Sequence, residues 1–166
     1  MNFLVMLLCL QIISFEPSDY FLESLNIESN ISFYKKAQLN LSDLNKGDEY
    51  DGELCYFFDQ DDKLKKIEVV IYRTMYKTKC LYYILRNNYI LAIKEEYIYN
   101  KPYGLESWEI TDTTNSYEIW NYNKNKINIV ESNILEENNE DLEQTFIDYE
   151  NYTKYTDSMY IKTNNK

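Results

Sequence analysis

The sequence predicts an α+β fold, an antiparallel β-meander of about six strands with one or two helices packed on one face. Two segments between Glu53 and Tyr99 share one design, in which an aromatic pair is followed by a polar turn and an apolar return strand. A weaker third copy runs from Ile119 to Val130. Because the connections between these β-rich runs are short and polar, the strands should pair in sequence order.

The turns of this sheet must be built almost without glycine. The chain of 166 residues has only 3 Gly and 2 Pro, so Asn and Asp should occupy the left-handed turn positions, which they tolerate. The predicted turns are Asp59-Gln60-Asp61-Asp62, Thr74 to Lys77, Arg86-Asn87-Asn88 and Asn123-Lys124-Asn125. A further turn at Thr113-Thr114-Asn115 is predicted to end a short strand over Leu105 to Asp112.

Two helices are predicted to cover the sheet. Ser32 to Lys46 places apolar residues at helical spacing, although alternation of Ala37, Leu39 and Leu41 leaves a strand open as the alternative. Leu142 to Tyr152 carries an apolar stripe preceded by acidic residues, which favour the start of a helix. The segment from Ser18 to Ile31 has no clean period.

The first residues are typical of a leader. Residues 1–14 form an apolar run that fits the core of a signal peptide and is too short to span a bilayer as a helix. Cleavage after Ser14 would give an exported protein, periplasmic or extracellular, with no stable transmembrane segment. If the leader is instead retained in the core, the protein is cytoplasmic. No linker divides residues 18–160, which we interpret as one α+β domain followed by a disordered tail at 161–166.

Composition argues against several functional classes. The formal net charge of −11 disfavours nucleic acid and anionic membranes as partners. The chain has no histidine, which removes the commonest general base and most zinc sites, and it has no Gly-rich phosphate loop. We therefore predict no catalytic residues, no metal site and no cofactor. Asp59, Asp61 and Asp62 could bind Ca²⁺, but they lack the EF-hand pattern and are better explained as a solvated turn.

Two cysteines remain if the leader, with Cys9, is removed. Cys55 and Cys80 each precede a hairpin turn by a similar distance, so they could face each other across nearby strands. An even pair in an exported chain favours a disulfide. The alternative is two small buried thiols.

Aromatic residues form the candidate binding face. Tyrosine and tryptophan recur at interfaces and carbohydrate sites because their rings bury a large area at a low entropy cost. The alternative is that these rings pack the sheet and its covering helix. The candidate residues, for a protein or glycan partner, are Tyr82, Tyr97, Tyr99, Tyr103, Trp108 and Trp120.

The hairpin segments resemble a group of small exported bacterial proteins of uncharacterised function, whose signature is a tandem Tyr-(Tyr/Phe)-x-(Asp/Asn)-Gly-x-Leu hairpin. This chain departs where those proteins carry Gly, since Asp62, Asn88 and Asn125 stand at or beside that position. The pattern is also similar to MORN-type repeats, but the irregular spacing favours a single domain over an open array. Neither resemblance implies a catalytic residue. The matching segments are Phe57-Phe58 through Asp62-Lys63-Leu64, Tyr82-Tyr83 through Asn88-Tyr89-Ile90, Tyr99-Asn100-Lys101-Pro102 and Asn125-Lys126-Ile127.

Three functional hypotheses follow from the sequence. The first is an exported, non-enzymatic domain that binds another macromolecule through its sheet or an edge strand. The second is an intracellular immunity or antitoxin-type protein whose acidic surface neutralises a basic toxin. The third is a carboxylate-based hydrolase that uses Asp61, Asp62, Glu95 and Glu96.

Overall fold

A computed structural model describes residues 17–41, 51–102, 109–123, 126–133 and 149–154. Helix α1 spans Pro17–Ser29 and begins at a proline, a residue suited to the first turn because that turn needs no backbone donor there. Residues 149–153 are also helical. Short 3₁₀ turns cover Ile31–Phe33 and Arg86–Asn88. The strands are β1 (Lys35–Asn40), β2 (Asp51–Phe58), β3 (Leu64–Tyr72), β4 (Tyr76–Ile84), β5 (Tyr89–Tyr99), β6 (Ile110–Asn123) and β7 (Lys126–Ser132).

The seven strands form one antiparallel sheet in the order β1-β2-β3-β4-β5-β6-β7, so each strand pairs with its neighbours in sequence. The predicted α+β meander is therefore confirmed, with seven strands in place of about six. The two similar hairpins are β2–β3 and β4–β5, and the third is β6–β7.

Left-handed Asp and Asn residues form the tips of the β2–β3 and β4–β5 hairpins, as predicted. Asp62 has φ of 61°, and Asn87 and Asn88 have φ of 57° and 63°. The two tips close with the same backbone bond, because Asp59 N–H donates to Lys63 O and Leu85 N–H donates to Tyr89 O, each at 2.9 Å. The repeat in the sequence is thus a repeated hairpin geometry.

Both faces of the sheet are apolar at their centres, and each has its own cover. One face carries Tyr56, Tyr82 and Trp120, and it packs against Tyr149 and Tyr152 of the helical residues 149–153. The opposite face is packed against α1. Its core consists of Leu81, Tyr83, Leu91 and Ile119 from the sheet with Tyr20 and Ile27 from α1. The helical contacts therefore lie on both faces, whereas the sequence analysis expected one.

Two element predictions are wrong in the described region, and one helix was not predicted. Within the predicted helix from Ser32 to Lys46, residues Lys35–Asn40 form β1, so the alternation of apolar residues was the correct signal. The segment without a clean period contains α1. The predicted turn at Thr113-Thr114-Asn115 lies inside β6, which runs without a break from Ile110.

Several other predictions fall on residues that are not described. These are the leader at 1–14, the first part of the strand predicted from Leu105 to Asp112, most of the turn at 123–125, the first part of the helix predicted from Leu142 to Tyr152 and the tail at 161–166. Among the described residues, no helix has the length and apolar character needed to cross a membrane.

Candidate functional site

Three of the six residues predicted to form an aromatic binding face lie in the interior. Tyr82, Tyr99 and Trp120 are only 1%, 3% and 1% exposed, so these three residues are wrong as members of a binding face. They belong to the interior because the strand register turns their side chains towards covered parts of the sheet. Tyr97 is half-buried, and its hydroxyl donates to Glu95 Oε2 at 2.8 Å. Tyr103 and Trp108 lie outside the described residues.

Cys55 and Cys80 do not form a disulfide. Cys55 lies in β2 and Cys80 in β4, with β3 between them. Cys55 is opposite Glu68 and Cys80 is opposite Val69, two consecutive residues of β3 whose side chains point to opposite faces. The two thiols therefore lie on opposite sides of the sheet, which corrects the disulfide prediction in favour of separate thiols.

The acidic residues considered for catalysis each lie beside a lysine. Asp61 and Lys63 are 3.6 Å apart, and Asp62 pairs with Lys35. Glu95 and Glu96 are 3.9 Å from Lys79 and 3.2 Å from Lys94 respectively. As consecutive residues of β5, Glu95 and Glu96 point to opposite faces of the sheet, so they cannot act on one bond. The described residues contain no group of three or more side chains placed to hold a metal ion.

The most exposed large apolar side chains lie on α1 and the turn that follows it. Leu22, Leu25 and Phe33 are 62%, 63% and 69% exposed. Helix α1 buries Tyr20, Ser24 and Ile27 against the sheet at helical spacing, which leaves the leucines, three residues apart, on its outer side. Exposed apolar side chains that are neighbours on one helix, as Leu22 and Leu25 are, are typical of an interaction surface.

Two concavities adjoin these side chains at the end of the sheet where the hairpin tips lie. A groove of about 640 Å³ separates α1 from the tips, and a smaller cavity of about 280 Å³ lies between the 3₁₀ turn and the first tip. We call Leu25 and the residues of both concavities the tip surface. The groove is lined by Asp19, Leu22, Glu23, Asn26, Lys65 and Arg86, and the cavity by Asn30, Phe33, Tyr34, Asp59, Gln60 and Asp61.

Polar contacts hold the tip surface in shape. Glu23 accepts a hydrogen bond from the backbone N–H of Arg86 at 3.0 Å and pairs with Arg86 Nε at 3.2 Å, which joins α1 to the second tip. Asp59 Oδ1 accepts the backbone N–H groups of Asp61 and Lys63, both at 2.9 Å. Burial alone would raise the pKa of Asp59, but these two bonds hold it below its ordinary value, so the carboxylate is charged.

A buried lysine fixes the other end of α1. The Lys66 side chain is 5% exposed, and its ammonium pairs with Glu28 of α1 and with Glu68. It also lies over the rings of Phe57 and Tyr83, 5.3 and 5.6 Å from their centroids. Because the ammonium is enclosed by these partners, Lys66 acts as a clamp for α1 and leaves no space for a substrate at its Nζ.

The hydroxyl of Tyr83 completes this cluster by donating to Glu28 Oε1 at 2.6 Å. Burial opposes the charge of Glu28, yet the hydrogen bonds from Lys66 and Tyr83 keep its pKa below the ordinary value. Burial and the same hydrogen bond raise the pKa of Tyr83. The sequence analysis missed this cluster and the tip surface. The sequence signal for the tip surface was Leu22 and Leu25, two leucines that break the helical period of the segment from Ser18 to Ile31.

The chain was compared with models of protein families, with curated protein sequences and with solved structures, and none of the three comparisons found a match. The resemblance to tandem-hairpin proteins thus stays a prediction.

Proposed function

We propose that this protein is a non-enzymatic binding module that contacts a protein partner through the tip surface. The observation that carries the proposal is the exposure of Leu22, Leu25 and Phe33 beside two concavities. Apolar side chains at this exposure are unfavourable in water, and a partner that covers them recovers that free energy. Export remains a prediction from the leader, and the proposal places the partner in the same compartment.

The polar groups of the described region support binding over catalysis. The two carboxylate pairs considered for hydrolysis are separated, because Asp61 and Asp62 are at a hairpin tip and Glu95 lies seven residues beyond Asn88 along β5. At about 3.4 Å per residue, that distance is roughly 24 Å along the strand. A hydrolase of the two-carboxylate type needs its acids opposed across one cleft.

A protein partner suits the tip surface better than a glycan. Glycans are bound mainly by aromatic rings, whereas Leu22 lines the groove, Leu25 is exposed on the outer side of α1, and Phe33 is the exposed ring of the tip surface. The antitoxin alternative gains no specific support, because the described residues include 16 acidic and 13 basic side chains, a net charge of only −3. The larger share of the −11 belongs to residues that are not described.

Site-specific photocrosslinking tests this proposal. A photoreactive amino acid is placed at Leu25, and at Ile98 as a matched control, because Ile98 is a 43% exposed apolar residue of β5 outside the tip surface. In cells of the natural host, we expect one partner protein to crosslink at position 25 and not at position 98. Adding Leu22→Asp to the Leu25 probe should reduce the crosslink about tenfold, as expected for the loss of an interface anchor.

The control for folding is the thermal midpoint, which Leu22→Asp should leave within a few degrees because Leu22 is exposed. Equal crosslinking at positions 25 and 98, or no effect of Leu22→Asp, would refute the tip surface as the binding site.

A further inference from the structure

We propose that the smaller cavity of the tip surface receives an arginine side chain of the partner. This inference rests on the proposed function and adds the chemistry of the partner segment. The partner segment is then a basic one, in which an arginine is flanked by apolar residues that pack on the exposed ring of Phe33 and on Leu22 and Leu25.

The shape of the cavity suits one long side chain. Its volume of about 280 Å³ is small, and it lies between the first hairpin tip and the turn after α1. Phe33 and Tyr34 are its aromatic wall, and Phe33 exposes most of its ring. Aromatic faces attract cations and stack on the planar guanidinium group.

The carboxylates of the cavity favour a positively charged side chain. Asp59 and Asp61 contribute carboxylates to the cavity, and no lysine or arginine is among its described lining residues, although Lys65 Nζ lies 3.5 Å from Asp59 Oδ2 beside it. Asp59 is held in place by its two backbone hydrogen bonds, so its charge is preorganised. An acidic partner side chain would be repelled here.

Asp61 is available to a partner although a lysine is near it. Its side chain is 76% exposed and lies 3.6 Å from Lys63, which is also mostly exposed. Exposed pairs of this kind contribute little, typically below about 1 kcal/mol. A guanidinium can therefore replace Lys63 beside Asp61, and its planar fork reaches two carboxylate oxygens where an ammonium offers only a point charge.

Amide chemical shifts of the full-length, isotope-labelled protein test the inference with defined probes. The probes are three blocked tripeptides, Leu-X-Leu, in which X is arginine, its neutral isostere citrulline, or glutamate. We expect the arginine peptide to shift the amides of residues 33, 34 and 59–61, and to bind about fivefold more tightly than the citrulline peptide. The glutamate peptide should not shift them.

Two substitutions make the result specific to the cavity. Asp61→Asn should weaken the arginine peptide about fivefold, whereas Glu150→Gln, which removes one charge from the opposite face of the sheet, should not change its affinity. Asp59 is left intact because its carboxylate shapes the turn.

The inference is overturned if the citrulline peptide binds as tightly as the arginine peptide, if Asp61→Asn has no effect, or if no shifts appear at about 10 mM peptide. A crosslinked partner at position 25 together with any of these results would leave the proposed function standing and remove only the arginine site. Loss of the crosslink alone would refute the proposed function.

Discussion

The hydroxyl of Tyr83 is the point where the sheet, α1 and the buried ammonium of Lys66 are joined. It donates to the Glu28 carboxylate that also pairs with Lys66. A hydrogen bond to a charged acceptor typically contributes about 1.5–3 kcal/mol, and loss of the donor leaves that acceptor less well satisfied. We expect Tyr83→Phe to lower the free energy of unfolding by about 1.5 kcal/mol, measured by urea denaturation at neutral pH.

Tyr117 supplies the matched control, because its hydroxyl donates to Glu131 Oε1 at 2.7 Å near the edge of the sheet without a buried cation. Tyr117→Phe should cost less than about 0.5 kcal/mol. A double-mutant cycle of Tyr83→Phe with Glu28→Gln should show a coupling of about 1 kcal/mol. Equal losses for the two tyrosines, or additive effects in the cycle, would mean that the cluster is not a clamp.

Contacts of this kind could not be predicted from the sequence. Glu28 is 38 residues from Lys66 and 55 from Tyr83, so their meeting depends on the strand register and on where α1 packs. The aromatic face failed for the same reason. Composition shows that Tyr82 and Trp120 suit a strand, but only the pairing of β4, β5 and β6 decides which side of the sheet they occupy.

At the scale of elements, the hairpin tips carry strain that a glycine would relieve. Asn88 has φ of 63°, a conformation that costs most residues other than glycine about 1–2 kcal/mol. Asn tolerates it better than alanine, which has no polar side chain for local hydrogen bonds. We expect Asn88→Ala to destabilise the fold by about 1 kcal/mol and Asn88→Gly to be neutral or stabilising by up to about 1 kcal/mol, measured as changes in the urea midpoint.

Asn115 is the control for this pair because it is an exposed asparagine inside β6 with an ordinary strand conformation. There Asn115→Gly should destabilise more than Asn115→Ala, since glycine weakens the interior of a strand. We therefore expect the glycine variant to be more stable than the alanine variant at position 88, and less stable than the alanine variant at position 115. The same order at both positions would rule out strain at the tip.

The strands were predictable because turn chemistry and alternation are local signals. Asp62 and Asn88 mark the tips in the sequence, and each return strand follows directly. The helices were not predictable in the same way. Helix α1 carries leucines on its outer side, which blurs its period. Ala37 of β1 fits a helix face together with Phe33 and Leu41, as well as the strand alternation with Leu39.

At the scale of the whole molecule, the sheet functions as a wall between two separate cores. Residues 149–152 supply tyrosines to one core and α1 supplies Tyr20 to the other, so both faces of the strands are largely apolar around the buried side chains of Lys66 and Glu118. Two consequences follow from this arrangement. The tip surface lies at one end of the sheet and touches the core on the α1 side through Tyr34, and tyrosine is a main packing residue on both sides.

Alkaline pH should therefore unfold the protein cooperatively. Several tyrosines of the described residues have a raised pKa. Burial raises the pKa to about 12 for Tyr20, burial and Glu28 raise it for Tyr83, and burial raises it for Tyr34. Hydrogen bonds to carboxylates raise the pKa of Tyr97 and Tyr117. A raised folded-state pKa favours the protonated form in the fold, so its contribution to stability is intact below the unfolded value of 10.0 and is lost as the pH rises through the folded pKa.

We expect the absorbance of tyrosinate to rise in two phases above pH 10, and the second phase should coincide with the loss of β-sheet circular dichroism. Tyr83→Phe removes one buried phenol, so the second phase of this variant should contain one tyrosinate fewer. Because the substitution also removes the hydrogen bond to Glu28 and so destabilises the fold, the second phase should begin at a lower pH. Tyr117→Phe should leave the onset unchanged. A single phase centred near pH 10, with the circular dichroism unaltered, would show that the tyrosines of both cores ionise within the fold and would contradict their tight packing.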